Sequence, residues 1–448
     1  MTPVLSESAA LICFVSILLV PLAGAGLALI NTGLGRSRCA AHLITTSLAA
    51  FSIAAVVYCV CGFAWQGYFG SPGYQLSISG RGWNWIAAEP FFLHGINLNG
   101  SPRSLAVLLG LLTAGLAALI PIGAGADRWR FGAIGASTAL LAGWTYPLFA
   151  HWVWGGGWLA QLGTNSGFGH GFVDVGGSST IQVVGGLTAL SIAWILGPRQ
   201  GKYTPEGMPS AIPGHNGVFV TFGCLLALLG WFGLNTAGAL LFTGIEPGRA
   251  VLTVVTTTLS AAAAFLTAVV ITRIRFGRPD ASLSANGWIG GLVASSAGCA
   301  FVTPASAVAI GAIAGALVVF SVEWLELRLR VDDPGGAISA HAVGGIWGVL
   351  SVGIFANLSG FPSGSLGSPS PGAAPAPSGQ WLAQLIGIAT LIGFVLPLTY
   401  SLNWLLNRFF SQRVAAEGER QGLDLYELGS GAYPDFLTHS DEFTQRKI

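Results

Sequence analysis

Asp174-Val175-Gly176-Gly177-Ser178-Ser179-Thr180-Ile181-Gln182-Val183-Val184-Gly185-Gly186 returns 159 residues later as Asp333-Pro334-Gly335-Gly336-Ala337-Ile338-Ser339-Ala340-His341-Ala342-Val343-Gly344-Gly345. Both stretches read Asp-x-Gly-Gly, then four residues, then one large polar side chain, then x-Val-Gly-Gly. The polar residue is Gln182 in one copy and His341 in the other. The repeat keeps its aspartate and glycines in register and changes the one side chain able to carry a proton.

The chain around this repeat is apolar. Of its 448 residues 8% are charged and 52% hydrophobic, and mean hydropathy is +0.68, which places the protein in a lipid bilayer. A net charge of +1 gives no electrostatic footprint for nucleic acid. The 65 glycines are about twice the usual share and predict close helix–helix approach in a many-helix bundle. Cys13, Cys39, Cys59, Cys61, Cys224 and Cys299 lie in or beside apolar runs without zinc spacing and read as small buried residues. The first apolar run has no Lys or Arg before it, so it reads as a retained span rather than a secretory signal.

Windows of about 20 apolar residues predict spans over 9–32, 41–63, 104–125, 132–153, 176–197, 213–235, 249–272, 285–302, 305–327, 336–356 and 381–407. With the N-terminus outside, all of the 19 Lys and Arg except Arg81, Arg103 and Arg249 fall on the inner side. The positive-inside rule therefore predicts N-out, C-in. The two copies open the fifth and tenth spans and so enter the membrane from opposite sides. The expected fold is an all-α membrane protein of eleven transmembrane helices: an inverted five-helix repeat, spans 1–5 against 6–10, plus one extra helix. Asn31-Thr32-Gly33 and Asn235-Thr236-Ala237-Gly238, closing the first and sixth spans, echo the repeat. The pseudo-twofold axis sets Gln182 opposite His341 near the midplane, each two turns into its helix. Residues 64–102 read as an expanded outer loop, and 357–380 as a Gly-, Ser- and Pro-rich loop. The chain divides into a transmembrane domain, 1–408, and a cytoplasmic tail, 409–448, of turns and short helix.

Polar groups inside lipid need partners or a wet cavity. Asp174 and Asp333 stand where a helix begins and read as caps, with cation attraction by Asp174 as an addition. A lone histidine in an apolar helix is usually a satisfied core residue. Opposite Gln182, however, His341 has a hydrogen-bond partner on the axis where a conduction path would run. Trp154, in His151-Trp152-Val153-Trp154-Gly155-Gly156-Gly157, is either an interfacial anchor or the wall of a cation-attracting vestibule. The chain has no nucleotide-binding loop, catalytic triad, haem or metal signature, so neither an enzymatic activity nor a cofactor is expected.

Together the residues resemble the ammonium transporter family, relatives of methylammonium permeases and Rhesus proteins. The resemblance rests on Ala150-His151-x-x-Trp154-Gly155-Gly156-Gly157, Asp174-x-x-Gly177, Gly230-Trp231-Phe232-Gly233-x-Asn235, Val302-Thr303-Pro304-Ala305, Arg330-Val331-Asp332-Asp333-Pro334, His341-x-Val343-x-Gly345, Gly422-Leu423-Asp424 and Ala432-Tyr433. It implies homotrimers of eleven-helix subunits in the plasma membrane, with one pore each. Ammonium is then recruited by an aromatic outer vestibule, deprotonated, and passed by two facing histidines. A trimeric PII-type signalling protein commonly meets the inner face in this family.

By this resemblance Trp154 is the vestibule tryptophan, Asp174 its supporting aspartate and His341 the second pore histidine, with Trp231 beside the pore. The chain departs from the pattern at the pore itself. Gln182 replaces the first histidine, Thr113 and Leu234 replace the two phenylalanines that close the outer mouth, Leu109 replaces a neighbouring aromatic, and Gly238 replaces a vestibule serine. The expected function is ammonium or ammonia transport. The alternatives are an ammonium sensor that conducts little, or a neutral-solute channel.

Overall fold

In a computed structural model, residues 5–358 and 379–433 are described. Nine helices among them are long and apolar enough to cross a membrane. In chain order the long helices are α1 (Glu7–Leu34), α2 (Ser37–Gln66), α3 (Pro102–Gly125), α4 (131–154), α5 (Ser178–Leu196), α6 (Gly217–Thr243), α7 (Pro247–Phe276), α8 (Ala281–Ser296), α9 (Pro304–Arg328), α10 (Ile338–Phe355) and α11 (Gln380–Phe409). The two beyond the nine are α4, whose middle turn Leu141–Thr145 is widened to a π-turn, and the short α8. The chain is a multi-pass, helical membrane protein. Its outward faces carry exposed Leu, Val and Phe, as a lipid-facing surface requires.

The abundance of glycine is explained where helices touch. Along the contact of α1 with α6, a Cβ on Gly26 would lie 2.5 Å from Gly223 O, and one on Gly230 would lie 2.0 Å from Ala23 N. Backbones this close have no room for a side chain, and they gain dispersion contact along the whole interface. α1 and α6 are the opening helices of the two repeats.

One end of the bundle is rich in arginine. Arg199 grips Asp332 through two nitrogens, at 2.9 and 3.0 Å, and reaches Asp127 at 2.9 Å. Arg36 lies 3.3 Å from Asp127, and Arg128 donates to Asp332 O at 2.8 Å. Burial would raise the Asp127 and Asp332 carboxyls, but the surrounding guanidinium groups hold both below the ordinary range. Burial itself lowers Arg128, to about 10. The tail closes over this end with two short helices, α12 (Ala416–Gln421) and α13 (Leu423–Leu428). Glu419 accepts from Arg413 at 2.7 Å, and Asp424 caps the start of α2 through the amides of Ala41 and His42. The tail is therefore docked by buried carboxylates, as well as turning and helical as its sequence predicts.

The opposite end carries a feature where the sequence predicts only loop. Within 64–102 two strands, β1 (Gly73–Ile78) and β2 (Arg81–Ala87), pair antiparallel. Their turn is Ser79-Gly80, with φ of 52° and 74°, the double positive φ of a tight hairpin. The alternation Tyr74-Gln-Leu-Ser-Ile before Ser79-Gly80 carried that signal, hidden by the apolar background. Trp85 of β2 stacks on Trp158 at 5.5 Å and holds the hairpin against the end of α4. Most of the 357–380 loop, from 359 to 378, lies outside the described residues, as does the tail beyond 433.

Candidate functional site

The site grows from the two copies of the repeat. In each, the second glycine of Asp-x-Gly-Gly has positive φ, 91° at Gly177 and 63° at Gly336, which a side chain would strain. That turn aims the aspartate at the free amides of the following helix. Asp174 Oδ1 accepts from the amides of Gly177 and Ser178 at 2.9 and 2.8 Å. Its Oδ2 accepts from the amides of Ser179 and Thr180 at 2.8 and 2.9 Å, and from their hydroxyls at 2.5 and 3.1 Å. Both oxygens are committed to capping, the first of the two roles read for Asp174. Asp333 repeats this in reduced form, accepting from Ala337 and Ile338 amides at 3.1 and 2.7 Å.

Both helices then open with a π-turn, Ser178–Val183 in α5 and Ile338–Val343 in α10. Gln182 and His341 sit in these first turns, not two turns in, because the helices start at Ser178 and Ile338 rather than at the glycines. Widened turns of this kind are frequent at functional sites, since they re-aim a side chain. The crossing itself is built on the paired glycines that end each copy. A Cβ on Gly186 would lie 2.5 Å from Ala342 N, and one on Gly345 would lie 2.5 Å from Ser178 O. The helices thus cross antiparallel at backbone contact.

At that crossing His341 Nδ1 lies 2.7 Å from Gln182 Oε1. An amide oxygen can only accept, so Nδ1 carries the hydrogen and His341 Nε2 presents a lone pair. The other end of the amide, Gln182 Nε2, is buried and has no partner within the protein. A buried donor without an acceptor costs about 1–3 kcal/mol. The pair therefore offers one free donor and one free acceptor, held by the bond between them.

At the hairpin end, Trp154 closes α4 and donates its indole N–H to Asp174 O at 2.7 Å. The cap of α5 thus fixes the indole through its main chain. A cavity of about 20 Å³ adjoins them, lined by Val153, Trp154, Phe172, Asp174, Phe242 and Thr243. At the arginine-rich end a cavity of about 520 Å³ is lined by Arg199, Lys202, Asn286, Asp333 and Ser339, among others. Withdrawal from water, together with the nearby Asp332 charge, pushes the Asp333 carboxyl up to about 6 against the pull of its two amide donors. Lys202 pairs with Glu326 at the rim of this cavity.

The remaining sequence candidates separate. Thr113 is buried and its hydroxyl joins Tyr146 at 2.7 Å and Leu109 O at 2.8 Å, so it belongs to a hydroxyl chain. Leu109 and Leu234 are buried in the main apolar core. Trp231 is fully buried and donates to Ser296 Oγ at 3.1 Å, beside the strand of chain that hydrogen-bonds Gly176. Gly238 has its own steric cause: a Cβ there would meet Val175 O at 2.2 Å. Its helix, α6, runs on to Thr243 past the expected end at Asn235. Sequence reading therefore missed Phe242, which the extra turns deliver to Trp154. It also missed Tyr146 and Ser339, because a hydroxyl or ring in an apolar helix has no periodic signal of its own.

Caps at opposite ends, two antiparallel spans and a buried polar pair at their crossing define a multi-pass membrane protein with a polar centre. A model of the Ammonium Transporter Family matches residues 10–433, and the chain belongs to that family. It is 34% identical over 429 residues to Ammonium transporter Amt2 of Archaeoglobus fulgidus, covering 93% of this chain and 86% of that one. Against the ammonium transporter of Bacillus subtilis it is 32% identical over 424 residues, 95% and 98% of the two chains. Among solved structures, one described as Sensor Amt Protein superposes with a TM-score of 0.81 at 29% identity, covering 94% and 98%. Mep2 of Candida albicans shares the fold, with a TM-score of 0.77 at 22% identity over 99% and 93%.

Proposed function

We propose that this protein carries ammonia nitrogen across the plasma membrane through a path past Gln182 and His341. In this reading eleven helices span the bilayer, α4 and α8 included, with the hairpin end outside and the arginine-rich end in the cytoplasm. Residues 1–408 form the transmembrane domain and 409–448 the tail. The subunit works in a homotrimer, and the tail-covered face is where a PII-type partner would dock. Membership of a transporter family, rather than an enzyme family, supports transport as the output.

The observation that carries the reading is the 2.7 Å contact between His341 Nδ1 and Gln182 Oε1. It leaves an amide donor and an imidazole acceptor free at the crossing. Ammonia both accepts and donates hydrogen bonds, so it satisfies both groups at once. Ammonium has four donors and no lone pair, and it would face the Gln182 amide protons unpaired. The proton therefore leaves before the crossing, to water on the side from which ammonium enters. Gln182 cannot titrate, so no relay between two imidazoles is available to carry it alongside.

The test is uptake and current in proteoliposomes under an ammonium gradient. Uptake with little current is expected; a current matching one charge per nitrogen would overturn neutral passage, and absence of uptake would overturn transport.

A second reading, an ammonium sensor that conducts little, draws on the likeness to the structure described as Sensor Amt Protein and on the buried docking of the tail. Ammonium binding without uptake would favour it. A water-like neutral solute also matches one donor and one acceptor, and water flux exceeding ammonia flux would favour that third reading.

A further inference from the structure

Phe242 does something that no family position assigned above requires of it. Its ring lies on the Trp154 indole with centroids 4.5 Å apart and planes 7° from parallel. Carbon atoms touch at about 3.5–4.0 Å, so nothing fits between these rings. Both side chains are buried, and both line the 20 Å³ cavity beside Asp174. Such a volume holds about one water-sized molecule. The rim of the indole reaches the turn that leads to Gln182: a Cβ on Gly177 would come within 3.2 Å of Trp154 Cη2. A cation attracted to an indole sits over the ring face, within about 6 Å of the centroid. In this structure that face is covered by the protein's own phenyl ring.

We infer that Phe242 is a self-bound lid on the Trp154 face, which an arriving ammonium must displace, and that it sets apparent affinity and size selectivity at the outer mouth. This inference rests on the transport reading for its direction of approach. The local backbone fits the role. Phe242 lies in the π-turn Ala239–Thr243 at the end of α6, and Gly244 follows with φ of 65° and open space around its missing Cβ. Tyr68 holds the neighbouring carbonyl, Leu241 O, at 3.0 Å. The helix end is thus tethered, while a water-sized space adjoins the ring and the missing Cβ of Gly244 leaves open space two residues on. Displacement is a side-chain rotation, not an unwinding. Thr113 and Leu234 carry no ring at the mouth, and Phe242 supplies one from a different turn of the chain.

The test measures ammonium and methylammonium uptake, with ammonium-binding calorimetry in detergent, on the full chain and on Phe242→Ala, Phe242→Leu and Phe242→Tyr. With the lid gone, the KM and Kd for ammonium fall roughly two- to thirtyfold, the range a freed cation–π face supplies. Discrimination against methylammonium narrows. Phe242→Tyr stays near the parent, and in a Trp154→Leu background Phe242→Ala loses its effect. Unchanged constants and an unchanged methylammonium ratio in the Ala and Leu variants, with normal folding by size exclusion, would overturn the lid and return Phe242 to core packing. If the parent moves no ammonium at all, transport fails while the lid is still decided by calorimetry. Tighter binding in Phe242→Ala then upholds it, and equal binding overturns it.

Discussion

The first copy of the repeat and the second share a motif and differ in what surrounds it. Asp174 has both oxygens filled by four amides and two hydroxyls, whereas Asp333 accepts from two amides beside a 520 Å³ cavity. The cause is in the register. Where the first copy has Ser179 and Thr180, the second has Ile338 and Ser339, and the Ser339 hydroxyl is buried without a protein partner. The same backbone turn thus makes a filled cap in the first copy and an open one, beside a cavity, in the second. A cap whose carboxylate is saturated stabilises. One left short of donors keeps capacity for a proton.

The largest expected effect breaks the sealed copy. Asp174→Asn removes a charge that organises six donors and leaves several of them unpaired, a loss of roughly 3 kcal/mol or more. Asp333→Asn loses about 1 kcal/mol at most, because only two amides depend on it and burial already disfavours its charge. Thermal unfolding of the purified protein measures both, and equal losses would erase the distinction between the copies.

Next in size is the crossing where the copies meet. His341→Ala removes the lone pair and strands the Gln182 amide, costing about 1–3 kcal/mol at the path, or roughly five- to 150-fold in uptake. An indifferent variant would make His341 an ordinary core residue. Gln182→His restores an imidazole to the first copy, and current per nitrogen moved should rise. An unchanged ratio would show that another group governs the proton.

The pH dependence sharpens the comparison further. A carboxyl raised to about 6 in the folded protein, against about 3.8 unfolded, binds its proton more tightly when folded. Its contribution is therefore complete below pH 3.8 and is lost as pH rises towards 6. Asp127 and Asp332, held low by arginine, act in the opposite sense. Their contribution is present above about 3.8 and is lost below it. Asp333→Asn should flatten the first limb and spare the second, in melting curves taken from pH 3 to 8. A limb between 4 and 6 that survives the substitution would remove Asp333 from this role.

The smallest effect comes from making the second copy resemble the first. Ile338→Ser supplies the hydroxyl that Ser179 gives Asp174, so the upper pH limb should move down by roughly one unit, about the strength of one hydrogen bond to a charged group. The buried cavity left by Ile338 lowers overall stability at the same time. An unmoved limb would mean that the hydroxyl does not reach the carboxylate.

How much of this was legible depends on range. The Asp-x-Gly-Gly turns and the caps follow from bonds between residues a few positions apart, and the sequence carried them. The pairing of Gln182 with His341 followed from the repeat because symmetry converts a local pattern into a long-range contact. Phe242 on Trp154 did not follow, since a ring at the end of an apolar helix looks the same whether it meets lipid, core or site. Gly238 looks in the sequence like a lost vestibule side chain, and only the fold shows that its neighbour Val175 O leaves no room for one.

The sequence by itself determined that the chain is a helical membrane protein with a doubled motif, because hydropathy, charge bias and turn chemistry are short-range and additive along the chain. The tertiary structure alone decided which atoms of the polar groups are bonded, filled or left free. The tautomer of His341, the unpaired amide of Gln182, the filled Asp174 and the covered face of Trp154 each depend on the distance between segments far apart in sequence. Those distances are set by glycine-to-backbone contacts that allow helices to meet at one spacing only.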